Sequence, residues 1–111
     1  MYVEFEDNED KLIVTLTGEL DHHSAEEVRI KIDDKIDMAG TSKVIIDFAN
    51  VNFMDSSGIG VIIGRYKKIS MKKGTICIAN AKGSVERIFQ LSGLYKIIKS
   101  YKTLDEALSV I

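Results

Sequence analysis

Lys43-Val44-Ile45-Ile46-Asp47-Phe48 is followed, after two residues, by Val51-Asn52-Phe53-Met54-Asp55-Ser56-Ser57-Gly58-Ile59-Gly60-Val61-Ile62-Ile63-Gly64-Arg65-Tyr66. The first segment is a compact apolar run of the kind buried on both faces of a sheet covered by helices. The second begins as a loop and passes into helical spacing. Ile59, Ile62, Ile63, Tyr66 and Ile69 recur on one face of a helix predicted from about Ser57 to Lys73. Lys67, Lys68, Lys72 and Lys73 fall at its C-terminal end, where the dipole favours cations, and Gly74 is the expected stop. A buried strand joined to a helix by a short loop is the repeating unit of an α/β fold.

The flanking segments extend this pattern. Upstream, Val3 and Phe5 alternate with Tyr2, Glu4 and Glu6. Leu12, Val14 and Leu16 alternate within Lys11 to Thr17, and the polar turn Asp7-Asn8-Glu9-Asp10 joins the two as a β-hairpin. Gly18-Glu19-Leu20-Asp21-His22-His23 reads as a loop. Ser24 and Glu27 have capping-box spacing, and Ala25, Val28, Ile32 and Ile36 form the stripe of a helix ended by Gly40. Downstream, Thr75 to Ala79 is a strand, Ser84 to Leu91 a helix stopped near Gly93, and Ile97-Ile98 a short last strand. Thr103 and Glu106 repeat the capping box before Leu104, Ala107, Leu108 and Ile111. The order β-β-α-β-α-β-α-β-α predicts a mixed, mostly parallel sheet with an N-terminal hairpin, covered by about four helices. Functional residues in such sheets gather beyond the C-terminal ends of the strands. Here that means Gly18 to His23 and Val51 to Gly58, with Asn80 to Ser84 on the rim.

The chain has 111 residues, enough for a single domain spanning 1–111. It is 45% hydrophobic and 29% charged, which excludes a disordered chain. Fifteen basic and seventeen acidic residues give a formal charge of −2, so neither nucleic acid nor an anionic membrane is attracted by net charge. Apolar runs are far shorter than the ~20 residues that span a bilayer, and the acidic, alternating N-terminus is not a signal peptide. A cytoplasmic protein, monomeric when free, is the expectation. Cys77, the one cysteine, lies within Ile76-Cys77-Ile78 and reads as a buried thiol.

Three uses compete for Asp55-Ser56-Ser57-Gly58. The commonest use of such residues is to cap a helix. A second is nucleotide binding: Gly58, Gly60 and Gly64 give G-x-G-x-x-x-G. That misses the dinucleotide fingerprint by one position, and no acid follows at the expected distance. Gly60 and Gly64, one turn apart, suit close packing against the sheet or a partner instead. A third is a covalent switch, in which a phosphate adds roughly −1.5 to −2 charges at the helix start. Residue chemistry alone leaves all three open, and does not choose between Ser56 and Ser57.

Longer motifs separate them. Leu16-Thr17-Gly18-Glu19-Leu20-Asp21-His22-His23, Phe53-Met54-Asp55-Ser56-Ser57-Gly58-Ile59-Gly60-Val61, Gly64-Arg65-Tyr66-Lys67 and Ser92-Gly93-Leu94 with Lys96-Ile97-Ile98 resemble the anti-sigma factor antagonists of the STAS class. The resemblance runs along nearly the whole chain and is nearest to the sporulation branch. It implies the STAS fold and partner switching. The unphosphorylated protein binds an anti-sigma factor that is also an ATP-using serine kinase, and so frees the sigma factor. Phosphorylation breaks the complex, and a serine phosphatase restores it. The acceptor implied is Ser56. The partner-binding surface implied comprises Asp21, His22, His23, Asp55, Ser56, Ser57, Gly58 and Gly60, with Ser57 capping the helix and Gly58 admitting the kinase. The protein is then a substrate and not an enzyme. An antagonist in a general stress-response pathway is the alternative within the family, and a small nucleotide-binding domain the alternative outside it.

Other chemistry is poorly supported. Asp21, His22 and His23 lack the i, i+4 histidine pair or second cluster of a metal site, so no metal or cofactor is expected. A triad drawn from Ser56, a histidine and Asp55 has no oxyanion hole in the sequence. The lysine run of the second helix reads as a solvated end, with docking as its other use.

Overall fold

The computed structural model describes residues 1–111. One five-stranded sheet has its strands side by side in chain order: β1 (Tyr2–Asn8), β2 (Lys11–Leu20), β3 (Lys43–Met54), β4 (Thr75–Ala79) and β5 (Lys99–Tyr101). β1 and β2 are antiparallel and every later pair is parallel. The helices are α1 (Ala25–Ala39), α2 (Ser56–Met71), α3 (Gly83–Ser92) and α4 (Leu104–Val110), with a single 3-10 turn at Leu94–Lys96. This is the mixed, mostly parallel arrangement with an N-terminal hairpin that the sequence predicts.

Alternation along the strands decides which helix covers which face. Leu12, Val14 and Leu16 of β2, Val44, Ile46 and Phe48 of β3, and Ile76 and Ile78 of β4 point to one side. There they meet Val28, Ile32 and Ile36 of α1, Ile59, Ile62 and Ile69 of α2, and Val85 and Phe89 of α3. Each side chain fully buried there contributes on the order of 2 kcal/mol. The interleaved residues Ile45, Cys77 and Ala79 face the other way and pack on Ala107 of α4. β3 is therefore buried on both faces, as its unbroken apolar run requires. Burial pushes the Cys77 thiol up to about 12, so it is an inert core residue.

Several local expectations are corrected. β2 continues through Leu20 and β3 through Met54, so parts of both supposed loops are strand. The two extensions pair with each other, Gly18 with Val51 and Leu20 with Met54. Ser24 sits at the start of α1 but forms no capping box; its hydroxyl instead donates to the Glu19 carbonyl at 2.8 Å. At the end of α2 the left-handed residue is Lys73 (φ 58°), not Gly74. Gly74 is required for another reason: a Cβ there would lie 2.1 Å from the Ser42 carbonyl oxygen. The last strand is Lys99–Tyr101, and Ile97-Ile98 precedes it. Gly40 and Gly93 do end α1 and α3 in the left-handed region (φ 64° and 77°). Half of the second capping box forms, with the Glu106 N–H donating to Thr103 Oγ1 at 3.1 Å.

Candidate functional site

Parallel pairing of β2 with β3 puts the C-terminal ends of both strands at the same edge of the sheet. The segments that leave them, Asp21 to Ser24 and Asp55 to Gly58, are neighbours for that reason. Asp55 joins them. Its backbone N–H donates to the Leu20 carbonyl at 3.3 Å. Its Oδ1 accepts the Ser57 N–H at 2.8 Å, and its Oδ2 accepts the His22 N–H at 3.2 Å. The His22 imidazole Nδ1 is 3.7 Å from the same Oδ2. Asp55, with extended backbone (φ −115°, ψ −170°), is thus the cap of α2. Ser57, expected to be the cap, instead supplies the N–H that is capped.

Asp21 organises the other loop. Its Oδ1 accepts the His23 N–H at 3.0 Å and the Ser24 N–H at 3.1 Å, while its own N–H donates to Ser24 Oγ at 3.1 Å. Burial would raise both carboxyls; hydrogen bonds outweigh it. For Asp21 the donors are Ser24 and His23, and for Asp55 they are Ser57, His22 and Gly58, so both carboxyls lie below their ordinary values and stay ionised. The exposed rings of His22 and His23 lie against each other, centroids 3.9 Å apart.

Ser56 is exposed on the first turn of α2, whereas Ser57 is half-buried. Gly58 is buried, and a Cβ there would stand 2.4 Å from Met54 Cγ, 2.8 Å from its Sδ and 3.1 Å from Leu20 Cγ. Its lack of a side chain thus lets α2 settle onto the ends of β2 and β3, rather than admitting a partner from outside. Gly60 is the reverse case: it is exposed, and a Cβ there would meet nothing within 4 Å. Packing of Gly60 against the sheet is therefore excluded. Ser56 and Gly60, one turn apart, share an outward, nearly side-chain-free face.

The structure brings Asp21, His22, His23 and Asp55 to Gly58 together, with Gly60 one turn along. It leaves the lysine run at the far end of α2, on the order of 20 Å away along the axis. There Lys68 pairs with Asp37 at 2.9 Å and Lys72 donates to the Thr41 carbonyl at 3.2 Å. Gly58, Gly60 and Gly64 all lie within the helix, so no glycine-rich loop precedes it as a dinucleotide site requires. No group of three potential ligands is placed to hold a metal ion, and no helix is long and apolar enough to cross a membrane. Arg65, a motif residue, is buried between α1 and α2 with Nε 2.8 Å from Asp33 Oδ1, a pairing that sequence spacing does not show. The acid and the base sit in different helical stripes, and nothing in either stripe announces the pair.

Comparison with known proteins agrees with this fold. The STAS domain profile matches residues 2–107. The anti-sigma F factor antagonist of Paenibacillus polymyxa is 39% identical over 98% of this chain and 93% of its own. The crystal structure of an anti-sigma factor antagonist from Mycobacterium paratuberculosis superposes with a TM-score of 0.89 at 27% identity, covering 99% of this chain and 92% of that one. The Bacillus cell fate determinant SpoIIAA in its phosphorylated form superposes with a TM-score of 0.75 at 31% identity, covering 97% of both chains.

Proposed function

Since the chain belongs to the STAS-domain family and is similar to its anti-sigma factor antagonists, we propose that it acts as one, and that Ser56 is its switch. In the unphosphorylated form the surface formed by Asp21 to His23 and Asp55 to Gly60 binds an anti-sigma factor and so releases a sigma factor. That partner is a serine kinase. It transfers the terminal phosphoryl group of ATP to Ser56 Oγ, with ADP as leaving group and the hydroxyl proton passing to a kinase base. A phosphatase reverses the change. The protein is a substrate of both enzymes, free in the cytoplasm as a monomer.

One observation carries the choice of serine: Ser56 is exposed at the first turn while Ser57 is half-buried with its N–H held by Asp55. The consequence of phosphorylation is electrostatic. Roughly −1.5 to −2 charges appear beside the ionised Asp55, taking the whole chain from −2 to about −4. A partner closing over that point meets like-charge repulsion and the desolvation of a phosphate. The helix dipole holds the phosphate in place, so binding changes while the fold does not.

The test is incubation with the cognate anti-sigma kinase and ATP, followed by peptide mass spectrometry and a capture assay. Phosphate is expected on Ser56, with Ser56→Ala unlabelled yet still capturing the partner. Phosphate on Ser57, or Ser56→Ala labelled at the wild-type rate, refutes the assignment. The similarity to a sigma F pathway antagonist favours sporulation over the general stress response. The sigma factor released on capture distinguishes the two.

A further inference from the structure

We propose that Phe53 is the apolar anchor by which the anti-sigma kinase grips this protein. The inference rests on the reading of Ser56 given above.

The starting point is the register of β3. Opposite β2 it steps from Thr15↔Asp47 to Thr17↔Asn50, and from Gly18↔Val51 to Glu19↔Phe53, so β3 carries two extra residues. An extra residue turns everything after it to the opposite face of the sheet. Without the second bulge Phe53 would stand opposite Leu20, which is fully buried, and would face the core. With it, Met54 takes the inward place beneath Gly58 at 5% exposure, and Phe53 is turned out at 46%. The second irregularity thus leaves a phenyl ring in solvent three residues before Ser56. Bulges that re-aim side chains are concentrated next to functional sites.

The occupant follows from proximity. Phe53 and Ser56 are three residues apart, at most about 11 Å of chain. A stable protein partner covers ~800 Å² per side, a patch with a radius of roughly 16 Å. An interface of that size centred on Ser56 reaches Phe53. Aromatic side chains within such a footprint carry a disproportionate share of the affinity, inside a polar rim. Asn52 and Glu19, both exposed, provide that rim.

The test measures the affinity of purified cognate anti-sigma kinase, with ADP, for the wild type, Phe53→Ala, Phe53→Leu, Met71→Ala and Ser56→Glu. Met71 is an exposed apolar control at the other end of α2. Phe53→Ala is expected to weaken binding at least tenfold and to raise KM for phosphorylation with kcat little changed. Met71→Ala should bind as wild type. If Phe53→Ala melts early, Phe53→Leu decides: a several-fold loss of affinity supports the anchor and none overturns it. A folded Phe53→Ala that binds within twofold of wild type, while Ser56→Glu is weakened, overturns the anchor and leaves the Ser56 switch standing. Absence of binding by the wild type overturns both.

Discussion

The Asp55 carboxylate holds His22 across 33 residues of sequence, accepting its backbone N–H at 3.2 Å while the other oxygen caps α2 through Ser57 at 2.8 Å. One side chain thus fixes both the start of the helix that carries Ser56 and the loop beside it. Asp55→Ala should cost about 1 kcal/mol, the usual worth of an N-cap. It should lower the melting temperature by roughly 4–8 °C. Asp55→Asn keeps an acceptor and should lose less. Urea unfolding of the three proteins measures the difference. Hydrogen exchange at His22 should rise in Asp55→Ala, since its acceptor is gone.

The same hydrogen bonds set an acid limit. Burial raises the Asp55 and Asp21 carboxyls, but the N–H groups donated to each outweigh it and hold both below the ordinary value of 3.8. A carboxyl depressed in the folded state stabilises it fully above the unfolded value, and that stability is lost as pH falls through the folded value. Stability should therefore be flat from pH 7 to about 5 and fall below about 4. In Asp55→Asn the fall should be shallower. Urea midpoints from pH 5 down to pH 2.5 test this; a decline as steep in the variant as in the wild type would contradict the assignment.

Gly58 and Gly60 separate packing from docking. Gly58→Ala places a Cβ 2.4 Å from Met54 Cγ, in a spot where Leu20 and Met54 are already packed. A destabilisation of about 1–3 kcal/mol is expected. Gly60→Ala meets nothing within 4 Å and replaces a poor helix former. It should stabilise by about 0.5–1 kcal/mol. If the Ser56–Gly60 face meets the partner, the stabilised Gly60→Ala variant should nonetheless bind more weakly. Thermal melts paired with the capture assay separate the two effects.

What the sequence revealed of this arrangement follows from how far each signal acts. Periodicity located α1 to α3 and the buried strands, because Val28, Ile32 and Ile36, or Ile76 and Ile78, are placed by local spacing alone. The continuation of β2 through Leu20 and β3 through Met54 was invisible. Gly18, Glu19 and Asn50 are poor strand formers, held in the ladder by pairing with Val51, Phe53 and Thr17 across the sheet. Local spacing points to Ser57 as the cap of α2 and to Ser24 in a capping box for a similar reason. Several oxygen-bearing residues in a row suit a helix start equally well, and tertiary contacts to His22 and Glu19 decide among them. The motif residues were legible as a group because two loops follow adjacent parallel strands, whereas the outward turn of Phe53 depends on a bulge that no local pattern announces.

Arg65 is an apparent extravagance. It is 6% exposed, with Nε 2.8 Å from Asp33 Oδ1 but poorly aligned for a hydrogen bond, and its Nη1 has no partner. Burial lowers the Arg65 pKa, with the attraction of Asp33 working against it. Removing one member of such a pair strands the other, so Asp33→Ala should destabilise by about 3 kcal/mol. Replacing both, as in Asp33→Leu with Arg65→Met, should be neutral or stabilising by about 1 kcal/mol. A double-mutant cycle by urea unfolding measures the coupling. A double variant as unstable as Asp33→Ala would mean that the pair contributes more than its burial costs.

Loss of partner binding in Ser56→Glu must come from charge and not from unfolding. The substituted side chain lies at the first residue of α2, where the positive end of the dipole favours a carboxylate by about 0.3–1 kcal/mol. Asp55, one residue away and ionised, opposes part of that gain. The net effect on stability should be within about 0.5 kcal/mol of wild type, with amide chemical-shift changes confined to Asp21–Ser24 and Asp55–Gly60. Raising the salt concentration should restore some binding, because a repulsion between exposed charges is screened over about 10 Å at 0.1 M. A melting temperature lowered by many degrees, or shift changes spread through β4 and α3, would mean that the substitution acts by disrupting the fold.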